Sequence, residues 1–186
     1  MPSPIAHLGA GYAIYRYYRH RLPENRQQLW KIPGQMILIM GLSVLPDLDI
    51  IAAIHFRDKE NYHNNISHSL LLGIPIAVFI AAILYQIYHS GFWLWFLICL
   101  ISYDLHIIMD ALTAERGVML FWPLSQNRFV SPIRIFYGLQ WGLGWFSIWH
   151  LWTIVTESGF VLFLVVVVNY FDRPKKTTNT MSSQKS

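Results

Sequence analysis

Long apolar runs, interrupted by short polar stretches, dominate the chain. A bilayer core about 30 Å thick takes roughly 20 apolar residues of helix to cross. Gln35 to Phe56, Ile66 to Tyr88 and Phe92 to Leu112 meet that length, the last two separated by His89-Ser90-Gly91. Each predicts a membrane span. Ile5 to Tyr18 is shorter and mixed, and predicts either a short buried helix or a tilted span. Ile135 to Val155 and Phe160 to Phe171 are apolar again, with Glu157-Ser158-Gly159 between them. They predict either one long kinked helix or a span followed by an interfacial helix. From Arg173 the chain is polar and rich in Lys, Ser and Thr, the composition of a disordered tail. The expected fold is all-α: a polytopic membrane bundle of about five helices over residues 1–172, then a basic tail over 173–186. No internal repeat is visible.

Composition sharpens this picture. The 186 residues are 54% hydrophobic and 13% charged, against about a quarter charged in soluble domains. The net charge of +4 does not point to nucleic acid, because the cations form no stripe with interleaved aromatics. They gather from Arg16 to Lys31 and from Arg173 to Lys185, and basic clusters beside spans mark cytoplasmic loops. With both clusters inside, the loops Arg57 to Asn65 and Thr113 to Arg134 lie outside, and the last apolar region crosses once. The N-terminus lacks a basic leader region, so the first helix is expected to be retained. The one cysteine, Cys99, excludes an intrachain disulfide and a cysteine metal cluster.

The polar residues inside the apolar runs then become informative. His7 opens the first helix, and Asp47 and Asp49 fall in the outward half of the second. His63 lies in the loop, His68 begins the third helix, and His106 and Asp110 are near the outer end of the fourth. Four helices thus bring His and Asp to one depth, and reversing the topology leaves them together. Ionisable groups in a membrane are expensive and usually mark function. Several carboxylates repel and protonate unless something positive sits between them. No Lys or Arg lies inside the second, third or fourth helix to do so. A divalent cation does, and His with Asp is a normal zinc ligand set.

The individual pieces differ in weight. His106 and Asp110, four apart, share a helix face and form either a bidentate clamp or a His–Asp bond between helices. Pro46 disturbs the helix at the preceding turn. One of Asp47 and Asp49 ligates while the other supports a histidine or bridges; alone, the pair reads as a helix end. In His63 to Ser69, Ser67 or Asn65 can cap the incoming helix, with His63 in the approach loop and His68 in the first turn. Asp104 points elsewhere on its helix. His20, His55, His89 and His150 stand singly and read as interfacial or packing residues. The eight tryptophans and Tyr15, Tyr17 and Tyr18 read as membrane-interface aromatics.

These pieces, in this order, resemble the YdjM-like family, described as membrane-bound metal-dependent hydrolases. The matching residues are His7, Leu45 to Asp49, His63 to Ser69, His106 to Thr113, Gly117, and Trp122 to Ser125, across roughly residues 5 to 130. The order His, Asp, His, then His-x-x-x-Asp is also similar to the zinc-dependent phospholipase C and S1/P1 nuclease fold. That resemblance implies His7, Asp47, His63 or His68, His106 and Asp110 as ligands. The later His and Glu ligands of that fold have no clear counterpart. Asn64 stands where an Arg commonly follows the first loop His. One or two zinc ions are the expectation.

The expected function is a membrane-bound metal-dependent hydrolase acting on a phosphoester, lipid-linked by its place at the membrane face. In this reading Asp49, or whichever Asp does not ligate, is the general base, and Arg128 or Arg134 meets the phosphate. The alternative is a non-enzymatic membrane protein with a structural metal site or a polar helix-packing network. An ion path is disfavoured by the apolar inner halves, such as Ile74 to Ile83. The lipid bilayer is the expected partner. The expected location is a bacterial plasma membrane, with the tail in the cytoplasm and the site on the outer face.

Overall fold

The computed structural model describes residues 2–19, 33–58, 63–113, 117–138 and 147–171. Among these residues are six α-helices: α1 Pro4–Arg19, α2 Pro33–Leu42, α3 Asp49–His55, α4 Leu70–Tyr88, α5 Phe92–Ala111 and α6 Ile148–Phe171. Among the described residues there is no strand, only isolated bridges such as Val118 with Phe129. The basic tail, His20 and most of the Arg16 to Lys31 cluster lie outside the described residues.

Helices α4, α5 and α6 are long and apolar enough to cross a membrane. At 1.5 Å per residue, α4 is roughly 28 Å long. It starts on a true cap, for Ser69 Oγ accepts the Leu71 N–H at 3.2 Å. It ends at His89, whose left-handed backbone (φ 51°) returns its N–H to the Tyr85 carbonyl. Gly91, with φ 73°, completes the reversal into α5. The resulting antiparallel hairpin packs Ala77, Ala81 and Leu84 against Trp95, Ile98 and Cys99.

Two expected elements are corrected. Gln35 to Phe56 is not one straight helix: the pair Gly34–Leu42 and Leu45–His55 is bent by 68°. Pro46 has no N–H to give, and its ring clashes with the carbonyl four residues back, at Leu42. The chain therefore leaves α2, passes through a 3-10 turn, Leu45–Leu48, and restarts as α3. Likewise, Ile66–His68 is a 3-10 turn, and α4 begins only at Leu70. Ser69, not Ser67 or Asn65, is its cap.

Among its described residues, the last apolar region holds one helix. Helix α6 runs uninterrupted through Glu157-Ser158-Gly159, while residues 135–138 are not helical. Glu157 is fully buried and accepts the Ser3 N–H at 2.7 Å and the Ser3 hydroxyl. It thus satisfies orphan donors at the start of α1. Gly9 meets Val161 and Arg16 donates to Asn169, so α1 and α6 run parallel. A Cβ at Gly11 would lie 2.5 Å from Ser43 Oγ and 2.9 Å from Met40 Cα. That close approach brings the end of α2 against α1, beside His7.

The segment after α5 folds back over the ends of α4 and α5. Leu70 donates to the Leu120 carbonyl, Ser131 to Ala111 and Ile135 to Leu112. Ser69 Oγ donates to the Trp122 carbonyl at 2.6 Å. The strap thereby ties the start of α4 to the end of α5, and its Phe136 packs with Ala6 and Ala10 of α1.

Candidate metal centre

Asp47, His68, His106 and Asp110 each offer a ligand atom, and these atoms lie within 4.8 Å of one another. Each comes from a different feature of the fold, except that His106 and Asp110 share one face of α5. Asp47 is turned in by the Pro46 bend. His68 sits in the 3-10 turn just before α4.

The contacts are close. His68 Nε2 is 2.9 Å from Asp110 Oδ2 and 3.7 Å from Asp47 Oδ1. His106 Nε2 is 3.4 Å from each of the same two oxygens. The two Nε2 atoms face each other at 3.3 Å. His68, His106 and Asp110 are buried, and Asp47 is the half-buried member at the edge.

Outer contacts aim these rings. His106 Nδ1 donates to the Ser43 carbonyl at 2.8 Å, which leaves Nε2 as the inward nitrogen. His68 Nδ1 faces Asp49 Oδ2 at 3.3 Å and Ser67 Oγ at 2.9 Å. A ligating histidine held through its other nitrogen by a carboxylate or carbonyl is the usual arrangement around a metal. His68 lies outside the spans. Burial works against its protonation, but Asp110, Asp47 and Asp49 outweigh burial and hold its pKa well above the ordinary value.

The remaining expected residues take other places. His7 is fully buried on α1, its Nε2 3.4 Å from Asp110 Oδ1 and its ring stacked on His106 at 3.8 Å. Asp49 falls outside the group of four. Its Oδ1 pairs with His63 Nδ1 at 2.6 Å, and its Oδ2 accepts from Ser67 Oγ at 2.6 Å and the Asn64 N–H at 3.0 Å. His63 is therefore brought to Asp49. Asn64 has a left-handed backbone (φ 58°), which asparagine tolerates better than most residues. Arg128 Nη1 donates to the carbonyls of Asn64 and Gly117, and Nη2 to Asn65. It braces the His63 loop against the strap. Arg134 is exposed.

Do these residues suit a cation? Asp47 Oδ2 and His7 Nδ1 are buried without a hydrogen-bond partner, and Asp47 Oδ1, both oxygens of Asp110 and His7 Nε2 meet only one another and the rings of His68 and His106. Buried polar atoms are normally satisfied, and each exception needs an explanation. A divalent cation among Asp47, His68, His106 and Asp110 supplies one, so the donor set fits.

Ser43 and Glu157 were not singled out from sequence as supports. Ser43 carries a weak signal, as a polar residue in an apolar run three positions before Pro46. Nothing in the sequence ties Glu157 to Ser3, 154 residues away.

Span-length helices around a buried His/Asp group define a polytopic membrane protein with a candidate cation site. Residues 1–175 match the family model described as YdjM inner membrane protein, and the chain belongs to that family. No curated protein and no solved structure matches it.

Proposed function

We propose that this chain is a membrane-bound, metal-dependent phosphoester hydrolase with its site on the outer face of the membrane. The observation that carries the reading is the surplus of converging ligand atoms. Asp47, His68, His106 and Asp110 lie within 4.8 Å of one another and His7 Nε2 is 3.4 Å from Asp110, more ligands than one ion needs in a closed four-ligand site. The resemblance to zinc-dependent phosphodiesterases supports one or two zinc ions held by Asp47, His68, His106 and Asp110, with His7 beside them.

A divalent cation held there supplies Lewis-acid polarisation of a phosphoryl oxygen and acidifies water. The protein's own groups do the rest. In hydrolysis a water oxygen bonds to phosphorus, the ester P–O bond breaks, and the leaving oxygen ends with a proton. The water's other proton must be accepted. Asp49 already accepts three hydrogen bonds, and protonating it would disturb them. The Asp49–His63 pair, joined Oδ1 to Nδ1 at 2.6 Å, is the proton acceptor in this reading. Arg128 acts as a positioning residue for that loop.

One observation favours a second reading. Four protein ligands within 4.8 Å would suffice for a closed structural site. Metal content and hydrolysis of p-nitrophenyl phosphate, measured on detergent-purified wild type and His106→Ala/Asp110→Ala, decide between them. One or two zinc ions and turnover, both lost in the double variant, support the hydrolase. A bound ion without turnover on a panel of mono- and diesters supports the structural site. A folded wild type that takes up no metal when zinc is supplied sinks both.

A further inference from the structure

An apolar groove of about 680 Å³ opens beside the metal centre, within the ~300–1,000 Å³ range of ligand pockets. Leu45, Pro46 and Leu48 of the bend form one wall, and Leu72, Ile76 and Phe79 of α4 the other. Its polar lining residues, Asp49, Ser67 and Tyr103, form one bonded patch. Tyr103 OH donates to the Ser67 carbonyl at 2.5 Å, and Ser67 Oγ donates to Asp49 at 2.6 Å. That patch lies at the start of α4. Pro46 and Leu48, on the opposite wall, flank the candidate ligand Asp47.

The groove follows α4 away from this end. From Leu72 to Ile80 the helix rises about 12 Å. Since α4 is of span length and begins at the site face, the groove descends from the site into the hydrocarbon layer. Phe79, well inside α4, is 67% exposed, so the groove is open on its lipid side. An occupant entering there comes from the bilayer. The shape is that of an amphiphile's environment, polar at one end and apolar along its length.

We propose that this groove holds one acyl chain of a phospholipid and that the lipid's phosphate head lies at Asp47, the half-buried edge of the His/Asp group. What happens to the head rests on the hydrolase reading; seating of the chain does not. Transfer of a chain from bilayer to groove gains little hydrophobic energy, because lipid tails are as apolar as the walls. The head therefore supplies selectivity, and the groove supplies alignment, which is how remote binding serves catalysis.

The test is photo-labelling in phosphatidylethanolamine/phosphatidylglycerol vesicles that contain phosphatidic acid with a diazirine midway along one acyl chain. Adducts are mapped by mass spectrometry. Half-buried Leu72 and Ile76 should be labelled several-fold more than Ile74 and Val78, which are exposed at the same depth of α4. Ile76→Trp, which fills the groove, should lower labelling at Leu72 several-fold. Labelling that follows exposure to lipid, with Ile74 and Val78 ahead, overturns the proposal. The same vesicles are assayed for metal and for p-nitrophenyl phosphate hydrolysis. Groove labelling without metal or turnover keeps the chain-binding inference and removes the hydrolase. Turnover with exposure-governed labelling does the reverse.

Discussion

His68 is the residue on which the centre turns, because it faces Asp47 and Asp110 through Nε2 and Asp49 through Nδ1. Removing the outer carboxylate charge leaves the ring in place but less firmly aimed. Asp49→Asn should therefore lower zinc affinity by roughly 10- to 100-fold, the usual effect of losing such a support. Competition titration against a chelating dye reads this directly, and unchanged affinity would remove Asp49 from the centre's support. The raised pKa of His68 gives a second expectation. Its protonated form stabilises the metal-free fold fully below its unfolded value of about 6.5. That stabilisation is lost as pH rises through the higher folded value. Zinc takes the same nitrogen and must displace the proton, so its affinity moves the other way. Metal-free protein should lose melting temperature above about pH 6.5, while zinc affinity climbs over the same interval. Melts with and without zinc across that interval would contradict this if the metal-free curve rose with pH.

At the scale of elements, the strap after α5 matters as much as the helices. Gly117 has φ 83°, and a Cβ there would run into the Phe129 carbonyl. Its own carbonyl accepts from Arg128 Nη1 at 3.0 Å. Gly117→Ala should cost about 1–3 kcal/mol, the range for side chains forced into such backbone. It should also loosen the His63 loop, read as faster proteolysis between α3 and α4; an unchanged melting temperature would show that the strap is not anchored there. The elements themselves were partly legible. The apolar runs at Ile66 to Tyr88 and Phe92 to Leu112 mark α4 and α5 closely, because lipid demands long uninterrupted apolar stretches. The spacing of His106 and Asp110 placed both on one face. The bend at Pro46 was visible as a disturbance but not as a 68° turn, since its angle depends on what α2 packs against. The roles of Asp47 and Asp49 could not be separated from sequence. Which carboxylate faces inward is set by the 3-10 turn, and a 3-10 turn leaves no periodic trace over four residues. His63 and His68 presented the same ambiguity. The oxygens of Asp49 draw His63 to one side and lie behind His68, so of the two only His68 stands in the group of four.

The whole molecule has two unlike ends. One carries the His/Asp centre, the strap and the buried Glu157. At the other, α1 finishes with Arg16 and Arg19 in its last turn, beside Asn169 near the end of α6. Parallel α1 and α6 put Arg16 and Arg19 of the last turn of α1 and the end of α6 at the same end of the molecule, the end at which the positive-inside pattern expects the cytoplasm. If that side is cytoplasmic, the strap faces outward. The native chain suits a labelling test, since its single cysteine, Cys99, is 2% exposed and lies within α5. A cysteine at exposed Asn127 in the strap should react with a membrane-impermeant maleimide on intact cells. A cysteine at Ser183 in the tail should react only after permeabilisation. The reverse pattern would turn the protein over and put the centre on the cytoplasmic face. The His/Asp geometry would be unchanged, but the phosphate head of the proposed lipid would then come from the inner leaflet. Labelling of both positions on intact cells would mean that α6 does not complete a single crossing, and the parallel pairing of α1 with α6 would have to be abandoned with it.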